Sequence, residues 1–443
     1  MLLRPLLRAV VLVAAFGACG GPTIPRDGGT DTGVDAGVDA SDASTDAGLD
    51  SGRDGGVDGG LDAGPSDPRW VAVPGVVEGC SIGRATNPES LARATWESCG
   101  EGCQRLVPDP AWTWRVAPNS GGRSEDRRTF VMLARERGVV DGPAATILFD
   151  AEHEAPLFAM RYDDEGGDLV CQILSVAFGE GHVAFPLVMT DFGRSYEETW
   201  VFHGALDQPG ELEAPVLRLA DDDLPGFGNV LQRSYVSATT AAFQVQPLGE
   251  MWLVEGGALR RRAEAGSEAP NSPQGPALVG RHLMWLDFGA KARLAHATFD
   301  TPSEIFLDVP DADVVFATDG IDLAWVQGYG WNDAAATYER LELWAAPYVT
   351  APEELVPRRV IDDFAVLDTR GAVGAHRWVA VTGNSELEVV DLRDGTRTTL
   401  ALPPEHVLAA PPSWVTESEV GVAGRYREGG RWVDTFFRLS TSE

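Results

Sequence analysis

Short apolar runs with an aromatic or branched centre recur from Phe130 to the end of the chain, and this recurrence constrains the fold more than any other feature. The runs are rich in Val, Leu, Phe, Trp and Thr and are separated by Gly, Pro and Asp-Gly turns, which is the pattern of short strands. Their centres, 40 to 58 residues apart, are Phe130, Phe185, Phe243, Trp285, Trp325, Trp378 and Val422. The chain therefore predicts a unit of about four strands, present in about seven copies.

A unit of this length is typical of β-propellers, in which four-stranded blades surround a central channel. We predict an all-β fold in which residues 69–443 form a β-propeller of seven blades; six or eight blades also fit the spacing. A pair of β-sandwiches would have equally frequent turns. These 375 residues exceed one sandwich, however, and show no domain boundary.

Residues 318–326 carry the clearest single repeat, Thr-Asp-Gly-Ile-Asp-Leu-Ala-Trp-Val, followed by Leu-Glu-Leu-Trp at 341–344. This segment resembles one blade of the TolB-like or WD40-like propellers, in which an Asp-Gly turn leads into an inner strand. The equivalent turns at 280–283 and 374–377 lack the Asp-Gly pair. The resemblance implies a fold rather than an activity, because propellers support both binding and catalysis.

Residues 1–18 are typical of a secretory signal peptide, with Arg4 and Arg8 before a short apolar core that is far below the roughly 18 residues needed to span a bilayer. Residues 16–19, Phe-Gly-Ala-Cys, resemble the bacterial lipobox, although Phe16 stands where Leu is usual. The resemblance implies that Cys19 is lipidated and begins the mature protein, and that Gly20, in place of Asp, favours the outer membrane. The alternative is an ordinary cleaved signal with a coincidental cysteine.

Residues 19–68 form an Asp/Gly-rich segment in which Asp recurs every four residues from Asp27 to Asp39 and again from Asp42 to Asp62. A helix would align these like charges on one face and would contain many glycines, so we reject it. The composition cannot bury a core and predicts a disordered, solvated tether. The alternative is a repeated calcium site, but the nine-residue pattern of calcium-binding β-rolls is missing.

The net charge of −32 excludes nucleic acid as a partner, since proteins meet phosphates with clusters of Lys and Arg. Residues 19–68 hold eleven Asp against two Arg, and residues 1–18 hold two Arg, which leaves −25 for residues 69–443. Anionic lipid would also repel such a domain. We therefore expect the lipidated N-terminus, not the protein surface, to contact the membrane.

Four cysteines follow Cys19, namely Cys80, Cys99, Cys103 and Cys171. An even number in an exported protein predicts two disulfides, for which three pairings are possible. Zinc binding is not predicted, because no histidine lies near this region before His153. We expect residues 79–107 to form a disulfide-stapled cap with a short helix over 87–97, and residues 70–73 to provide the strand that closes the ring.

The known catalytic motifs are missing from the sequence: it has no GxSxG elbow, HExxH pair, phosphate loop or dinucleotide-binding glycine fingerprint. No catalytic residue, metal or cofactor is predicted. Residues 152–154 fit a solvated turn better than a metal site, and Asp221–Asp223 fit an acidic loop better than a calcium site. The candidate contact surface is the loop expected at 328–333, which contains Trp331 and Asn332.

The sequence therefore predicts a lipid-anchored, extracytoplasmic β-propeller at the outer membrane, acting as a monomer. We expect a binding or scaffolding module for an envelope protein or glycan. The first alternative is a hydrolase or lyase with its site at the central channel, which polar side chains converging from several blades would favour. The second is a calcium sensor.

Overall fold

The computed structural model describes residues 70–72, 80–87, 94–109, 112–116, 129–136, 145–150, 154–164, 169–173, 176–191, 196–212, 214–220, 230–246, 250–263, 274–288, 291–332, 337–363 and 371–441. The predicted signal peptide, the lipobox with Cys19 and the Asp/Gly-rich segment lie outside these ranges. In the ranges given, no helix has both the length and the apolar character needed to cross a membrane.

The described chain consists of strands, with two short 3-10 turns at Pro209–Leu212 and Pro352–Glu354. In chain order the strands are β1 (Trp70–Ala72), β2 (Cys80–Ala85), β3 (Ala94–Gly100), β4 (Cys103–Pro108), β5 (Trp112–Val116), β6 (Thr129–Glu136), β7 (Ala145–Asp150), β8 (Ala155–Asp164), β9 (Leu169–Ile173), β10 (Ala177–Gly179), β11 (His182–Asp191), β12 (Tyr196–Ala205), β13 (Leu217–Ala220), β14 (Val230–Val236), β15 (Ala241–Gln246), β16 (Met251–Glu255), β17 (Ala258–Ala263), β18 (Gln274–Val279), β19 (His282–Phe288), β20 (Ala292–Ala297), β21 (Glu304–Leu307), β22 (Ala312–Thr318), β23 (Asp322–Asn332), β24 (Thr337–Pro347), β25 (Arg358–Ile361), β26 (Gly371–Gly374), β27 (Arg377–Gly383), β28 (Glu386–Asp391), β29 (Arg397–Ala401), β30 (His406–Val415), β31 (Glu419–Glu428) and β32 (Arg431–Ser440).

These strands form seven antiparallel sheets, and the predicted all-β, seven-bladed propeller is confirmed. Blades 3 to 6 each contain four consecutive strands, β14–β17, β18–β21, β22–β25 and β26–β29. Blade 2 contains β10–β13, and β9 pairs with β11 beyond the end of β10. Blade 1 contains β5–β8, with β2 and then β1 added outside β8. The first strands of blades 2 to 7 contact one another in succession, which places them on the inside of the ring.

Blade 7 closes the ring by combining the three C-terminal strands with β3 and β4 from the N-terminal part of the described chain. Its order is β30-β31-β32-β4-β3, so the hairpin of β3 and β4 adds two outer strands to the three C-terminal ones. Leu439 lies opposite Cys103 and Phe437 opposite Arg105, and the Thr435 hydroxyl donates to the Leu106 carbonyl over 2.6 Å. Pairing of this kind satisfies strand edges that an open ring would expose.

This closure corrects three expectations. The cysteine-rich segment is not a separate cap, because its strands from Ala94 to Pro108 belong to blade 7. The helix expected over 87–97 is wrong at residues 94–97, which belong to strand β3 and pair with β4; tertiary pairing outweighs the local helix signal there. Residues 88–93 lie outside the described residues. Residues 70–72 do not close the ring but pair with β2 at the outer edge of blade 1.

The seven strand centres predicted from the sequence, six aromatic residues and Val422, all lie on the second strand of a blade, namely β6, β11, β15, β19, β23, β27 and β31. The six centres from Phe185 onward are at most 2% exposed. They pack between neighbouring sheets: Phe243 belongs to the same core cluster as Ala184 and Val201 of blade 2. Burying a large apolar side chain contributes about 1.5–3 kcal/mol, so this row of residues forms the core of the ring.

Candidate binding surface

The hairpin of β23 and β24 extends beyond the rest of blade 5. The inner strand β22 pairs with β23 only as far as Tyr329, and the outer strand β25 pairs with β24 only at Leu343 and residues 344–345. Beyond these positions Trp331 pairs with Tyr338 inside the hairpin. The loop predicted at 328–333 is therefore wrong up to residue 332, which is strand; Asp333 lies outside the described residues.

An aromatic pair occupies the extended end of this hairpin. The rings of Trp331 and Tyr338 meet edge to face with centroids 4.8 Å apart, a favoured geometry for aromatic pairs. The Tyr338 hydroxyl donates to the Asp313 carboxylate over 3.1 Å, which fixes the ring against the inner strand. A Cβ at Gly328 would lie 2.6 Å from the Tyr338 ring, so the ring position requires glycine there.

Gly330 has φ +63°, which interrupts the side-chain alternation of β23 between Tyr329 and Trp331. Tyr329 donates from its hydroxyl to Gln327 over 2.6 Å, and Arg340 stacks on its ring at 4.3 Å. Burial, and then the Glu342 carboxylate, raise the pKa of Tyr329. The hairpin end thus presents a half-buried Trp331 whose neighbours are held in place, with the exposed Asn332 beside it.

Polar residues are unevenly distributed over the inner strands. Strands β10 and β26 carry only Ala, Gly, Val and Phe, whereas β18 begins with Gln274 and β30 with His406. Asp313 on β22 accepts hydrogen bonds from the Tyr338 hydroxyl and from the backbone N–H of Ala292. Ser234 on β14 is buried. The described residues contain no group of three His, Cys, Asp or Glu side chains placed to hold a metal ion.

Polar contacts at the opposite end of the propeller, where first strands turn into second strands, join neighbouring blades. Arg281 of blade 4 donates to Glu255 of blade 3 and to Asp300 of its own blade, over 3.0 and 2.8 Å. The ring of His376 in blade 6 lies 2.9 Å from Asp322 of blade 5. These contacts hold blades together, and we assign them no ligand.

Histidine pairs occupy equivalent positions in blades 2 and 4. His182 and His203 have ring centroids 5.8 Å apart, and His282 and His296 have theirs 6.2 Å apart. Burial lowers the pKa of His203, His282 and His296. Nε2 of His296 lies 2.9 Å from Glu304, without the alignment of a hydrogen bond, and its Nδ1 also lacks a hydrogen-bond partner.

A repeated Glu-x-Trp motif on the third strands was missed in the sequence. Its copies are Glu198–Trp200, Glu250–Trp252 and Glu342–Trp344, and each indole N–H donates to the carboxylate two residues earlier, over 2.6, 3.1 and 3.0 Å. An arginine on the outer strand lies directly opposite each Trp, namely Arg218, Arg261 and Arg359. The recurrence of Glu-x-Trp is itself a sequence signal that could have located the third strand of these blades.

One of the two predicted disulfides is present among the described residues. Cys99 and Cys103 form a disulfide between β3 and β4. Cys80 begins β2 and Cys171 lies in β9, and the second of the two predicted disulfides stays a prediction. A cavity of about 400 Å³ adjoins the disulfide, lined by Ser98, Gln104, Ser418, Glu419, Arg438 and Ser440 among others.

Of the other residues singled out in the sequence, Glu154 lies in a turn with φ 55°, while Glu152, His153 and Asp221–Asp223 fall outside the described residues. The Asp-Gly turn of the blade-like repeat is confirmed: Asp319 accepts hydrogen bonds from the N–H groups of Ile321 and Asp322, over 2.8 and 2.7 Å. It leads into β23, the second strand of blade 5 rather than the innermost.

Comparison with known proteins yields no family and no curated relative, since neither search finds a match. Among solved structures, a prolyl endopeptidase is similar at 10% identity and a TM-score of 0.45, over 71% of this chain and 45% of its own. The β-propeller domain of Cps50 (Swd1) from Myceliophteria thermophila is 12% identical with a TM-score of 0.38, over 79% of this chain and 100% of its own. Human WBSCR16 is 12% identical with a TM-score of 0.37, over 70% and 85%.

The chain thus spans less than half the length of the prolyl endopeptidase it resembles. At these identities and scores we transfer neither an activity nor a partner from any of the three. The fold assignment rests on the seven sheets themselves.

Proposed function

We propose that this chain is a lipid-anchored binding module of the cell envelope, which contacts an envelope protein or glycan through the extended end of the β23–β24 hairpin. The observation that carries the proposal is the Trp331–Tyr338 pair, placed beyond the positions where the neighbouring strands of blade 5 end. Tyr and Trp are favoured in contact surfaces because a rigid ring gives a large contact area at a small cost in conformational entropy.

A channel-centred hydrolase or lyase requires polar side chains from several blades to converge. The inner strands β10 and β26 carry only Ala, Gly, Val and Phe, which favours binding over that alternative. The partner would contact the end of the propeller, where side chains can vary without disturbing the core.

Anchoring is proposed from the sequence resemblance at Cys19. Two or three acyl chains give stable membrane attachment, where one chain binds only marginally. The propeller would then work outside the cytoplasm at the outer membrane, where a disulfide such as Cys99–Cys103 persists.

Crosslinking and affinity capture from the native envelope tests the proposal. The intact chain should recover a protein partner in stoichiometric amount, or a glycan on an array, and Trp331→Ala should lose it. Val356→Ala is the matched control, because Val356 is an exposed apolar side chain (74%) in the loop between β24 and β25, at the opposite end of blade 5. Cys19→Ser should move the chain to the soluble fraction.

Recovery of the chain alone in both capture and glycan screens would remove the binding proposal. Equal recovery by Trp331→Ala and Val356→Ala would remove the hairpin as the contact surface. A Cys19→Ser chain that stays in the membrane fraction would remove the lipid anchor.

A further inference from the structure

The cavity of about 400 Å³ in blade 7 lies where segments that are distant in the sequence meet. Its wall comes from the end of β3 and the start of β4, from the turn between β30 and β31, and from the end of β32. We call it the blade 7 cavity. Because β30 turns into β31 there, the cavity lies at the end of the propeller opposite the Trp331 hairpin. Its volume is in the range of small-molecule sites, about 300–1,000 Å³.

Six polar side chains contribute to the wall of the blade 7 cavity. They are the hydroxyls of Ser98, Ser418 and Ser440, the amide of Gln104, the carboxylate of Glu419 and the guanidinium of Arg438. Hydroxyl and amide groups can both donate and accept hydrogen bonds, whereas a carboxylate only accepts and a guanidinium only donates. The wall therefore suits a ligand with several groups that both donate and accept.

The two charged groups of the wall compensate each other. Nε of Arg438 lies 3.6 Å from the Glu419 carboxylate. The same Nε donates to the Gln104 amide oxygen over 2.8 Å, and one Nη of Arg438 donates to that oxygen as well. Bidentate binding of a carboxylate or phosphate needs two parallel N–H groups, and Gln104 occupies such a pair. A basic ligand would compete with Arg438 for Glu419, so the wall favours a neutral ligand.

Contacts within the protein hold this wall in place. The Arg438 guanidinium stacks on the Trp96 ring, 4.7 Å from its centroid. The backbone N–H of Thr441 donates to the Ser418 carbonyl over 2.8 Å, which ties the turn to the end of β32. Arg377 of blade 6 donates to the same turn from its guanidinium. A site that is ordered in advance loses less conformational entropy when a ligand binds.

We propose that the blade 7 cavity binds the end of a neutral saccharide. A sugar carries hydroxyls on neighbouring carbons, so one hydroxyl can donate to the Glu419 carboxylate while the next accepts from Arg438 or a serine. Hydrogen bonds to charged groups are the stronger ones, and this pair supplies both an acceptor and a donor of that kind. The proposal goes beyond the contact at the Trp331 hairpin, which is a separate surface.

Saturation-transfer NMR tests the proposal on the Cys19→Ser chain. The probes are glucose, galactose, mannose and N-acetylglucosamine, and we expect transfer to at least one of them. Propionate and ethylammonium, added in excess, should leave that transfer unchanged because each carries a single charge. Transfer to none of the four sugars, or displacement by either ion, would overturn the proposal.

A matched pair of variants locates the sugar. Ser418→Trp places an indole in the wall of the cavity and should abolish transfer, while its backbone carbonyl can still accept from Thr441. Ser303→Trp is the control, because Ser303 is exposed in the turn between β20 and β21, at the same end of blade 4. Thermal unfolding checks that both variants are folded. Transfer that survives in Ser418→Trp would overturn the assignment to the cavity.

Glu419→Gln tests the role of the charged acceptor. It should weaken sugar binding by about tenfold or more, as the loss of a hydrogen bond to a charged group does. Unchanged affinity would overturn the role given to Glu419.

Trp331→Ala separates this proposal from the hairpin surface. The variant should keep sugar transfer, because Trp331 lies at the other end of the propeller. Transfer that is lost in Trp331→Ala and kept in Ser418→Trp would assign the sugar to the hairpin. That result would overturn the cavity proposal and support the proposed function.

Discussion

The indole N–H of Trp344 donates to the Glu342 carboxylate over 3.0 Å, from a position two residues later on the same strand. Arg359 of the outer strand donates to the other carboxylate oxygen over 3.3 Å. Glu342 is only 3% exposed, and a carboxylate this buried needs hydrogen-bond donors to offset its desolvation. The outer strand of blade 5 is therefore held by a polar contact as well as by its ladder.

We expect Glu342→Gln to destabilise the propeller by about 1.5–3 kcal/mol, the range for hydrogen bonds to charged groups. The amide keeps one acceptor but loses the charge that faces Arg359, and its NH₂ group meets a donor instead of an acceptor. Denaturant unfolding measures the loss. Glu353→Gln, at an exposed position in a 3-10 turn, should change stability by less than about 0.5 kcal/mol. Equal losses would show that the Glu342 contacts contribute nothing.

The ring could be predicted from the sequence because its core is local and periodic. Phe185, Phe243, Trp285 and Trp325 occur at the same register of their second strands, opposite Phe202, Trp252, Ala295 and Trp344. Trp378 lies two residues earlier, opposite Val390 in a ladder that begins at Arg377. A shift of two residues keeps the side chain on the same face of the sheet, because alternate residues share a face. The spacing of the aromatic residues therefore still locates the strand.

Contacts between distant parts of the chain could not be predicted. The hydroxyl of Thr435 bonds to Leu106, 329 residues away, and nothing local to residues 94–108 indicates this partner. The loop predicted around Trp331 was wrong for a different reason. Gly328 and Gly330 are typical of a turn, but here one leaves space for the Tyr338 ring and the other interrupts the alternation of a continuing strand.

Acid should destabilise the propeller through its buried histidines. Burial lowers the folded-state pKa of His203, His282 and His296, while an unfolded histidine titrates near about 6.5. Below pH 6.5 the unfolded chain therefore binds more protons than the folded one. Their stabilising contribution is complete above that pH and is lost as the pH falls below it. Melting temperature measured from about pH 7.5 to about pH 5 should show this decline.

His296→Gln should reduce the slope of that decline, because His296 is 6% exposed and, among the described residues, Glu304 supplies the carboxylate that lies against it. An unaltered slope in His296→Gln would assign the acid sensitivity to other groups.

Peptide mapping without reduction should find Cys80 linked to Cys171 as well as Cys99 to Cys103. Cys99 and Cys103 are already joined, so Cys80 and Cys171 are the two cysteines that remain after Cys19. Cys80 lies opposite Asp164 at the end of β8, and β9 with Cys171 follows five residues later. A peptide joining Cys80 to Cys99 or Cys103 would contradict this pairing.

The two bonds should differ in their effect on stability. In the chain-entropy view, removing the short Cys99–Cys103 loop costs on the order of 2 kcal/mol, and removing a loop from Cys80 to Cys171 costs about 4–5 kcal/mol. Unfolding of Cys99→Ser/Cys103→Ser and of Cys80→Ser/Cys171→Ser compares them. The reverse order would mean that strain in the native state outweighs loop closure.

Gly421 should be intolerant of any side chain. It lies opposite Trp414 in the ladder of β30 and β31, and an added Cβ would fall 1.9 Å from the indole. The indole is fixed, because it is 2% exposed and stacks on Phe436 with centroids 4.9 Å apart. Gly421→Ala should therefore cost about 1–3 kcal/mol or more in an unfolding titration, as overpacked cores do.

Gly383→Ala is the control for backbone effects. An added Cβ there meets nothing nearer than 3.6 Å, so the alanine should be neutral or stabilise by up to about 1 kcal/mol through the reduced entropy of the unfolded chain. The double variant Gly421→Ala/Trp414→Leu should recover part of the loss, because the smaller side chain makes room for the methyl group. If Gly421→Ala behaves like Gly383→Ala, the Trp414 ring can move, and blade 7 is packed less tightly than its geometry indicates.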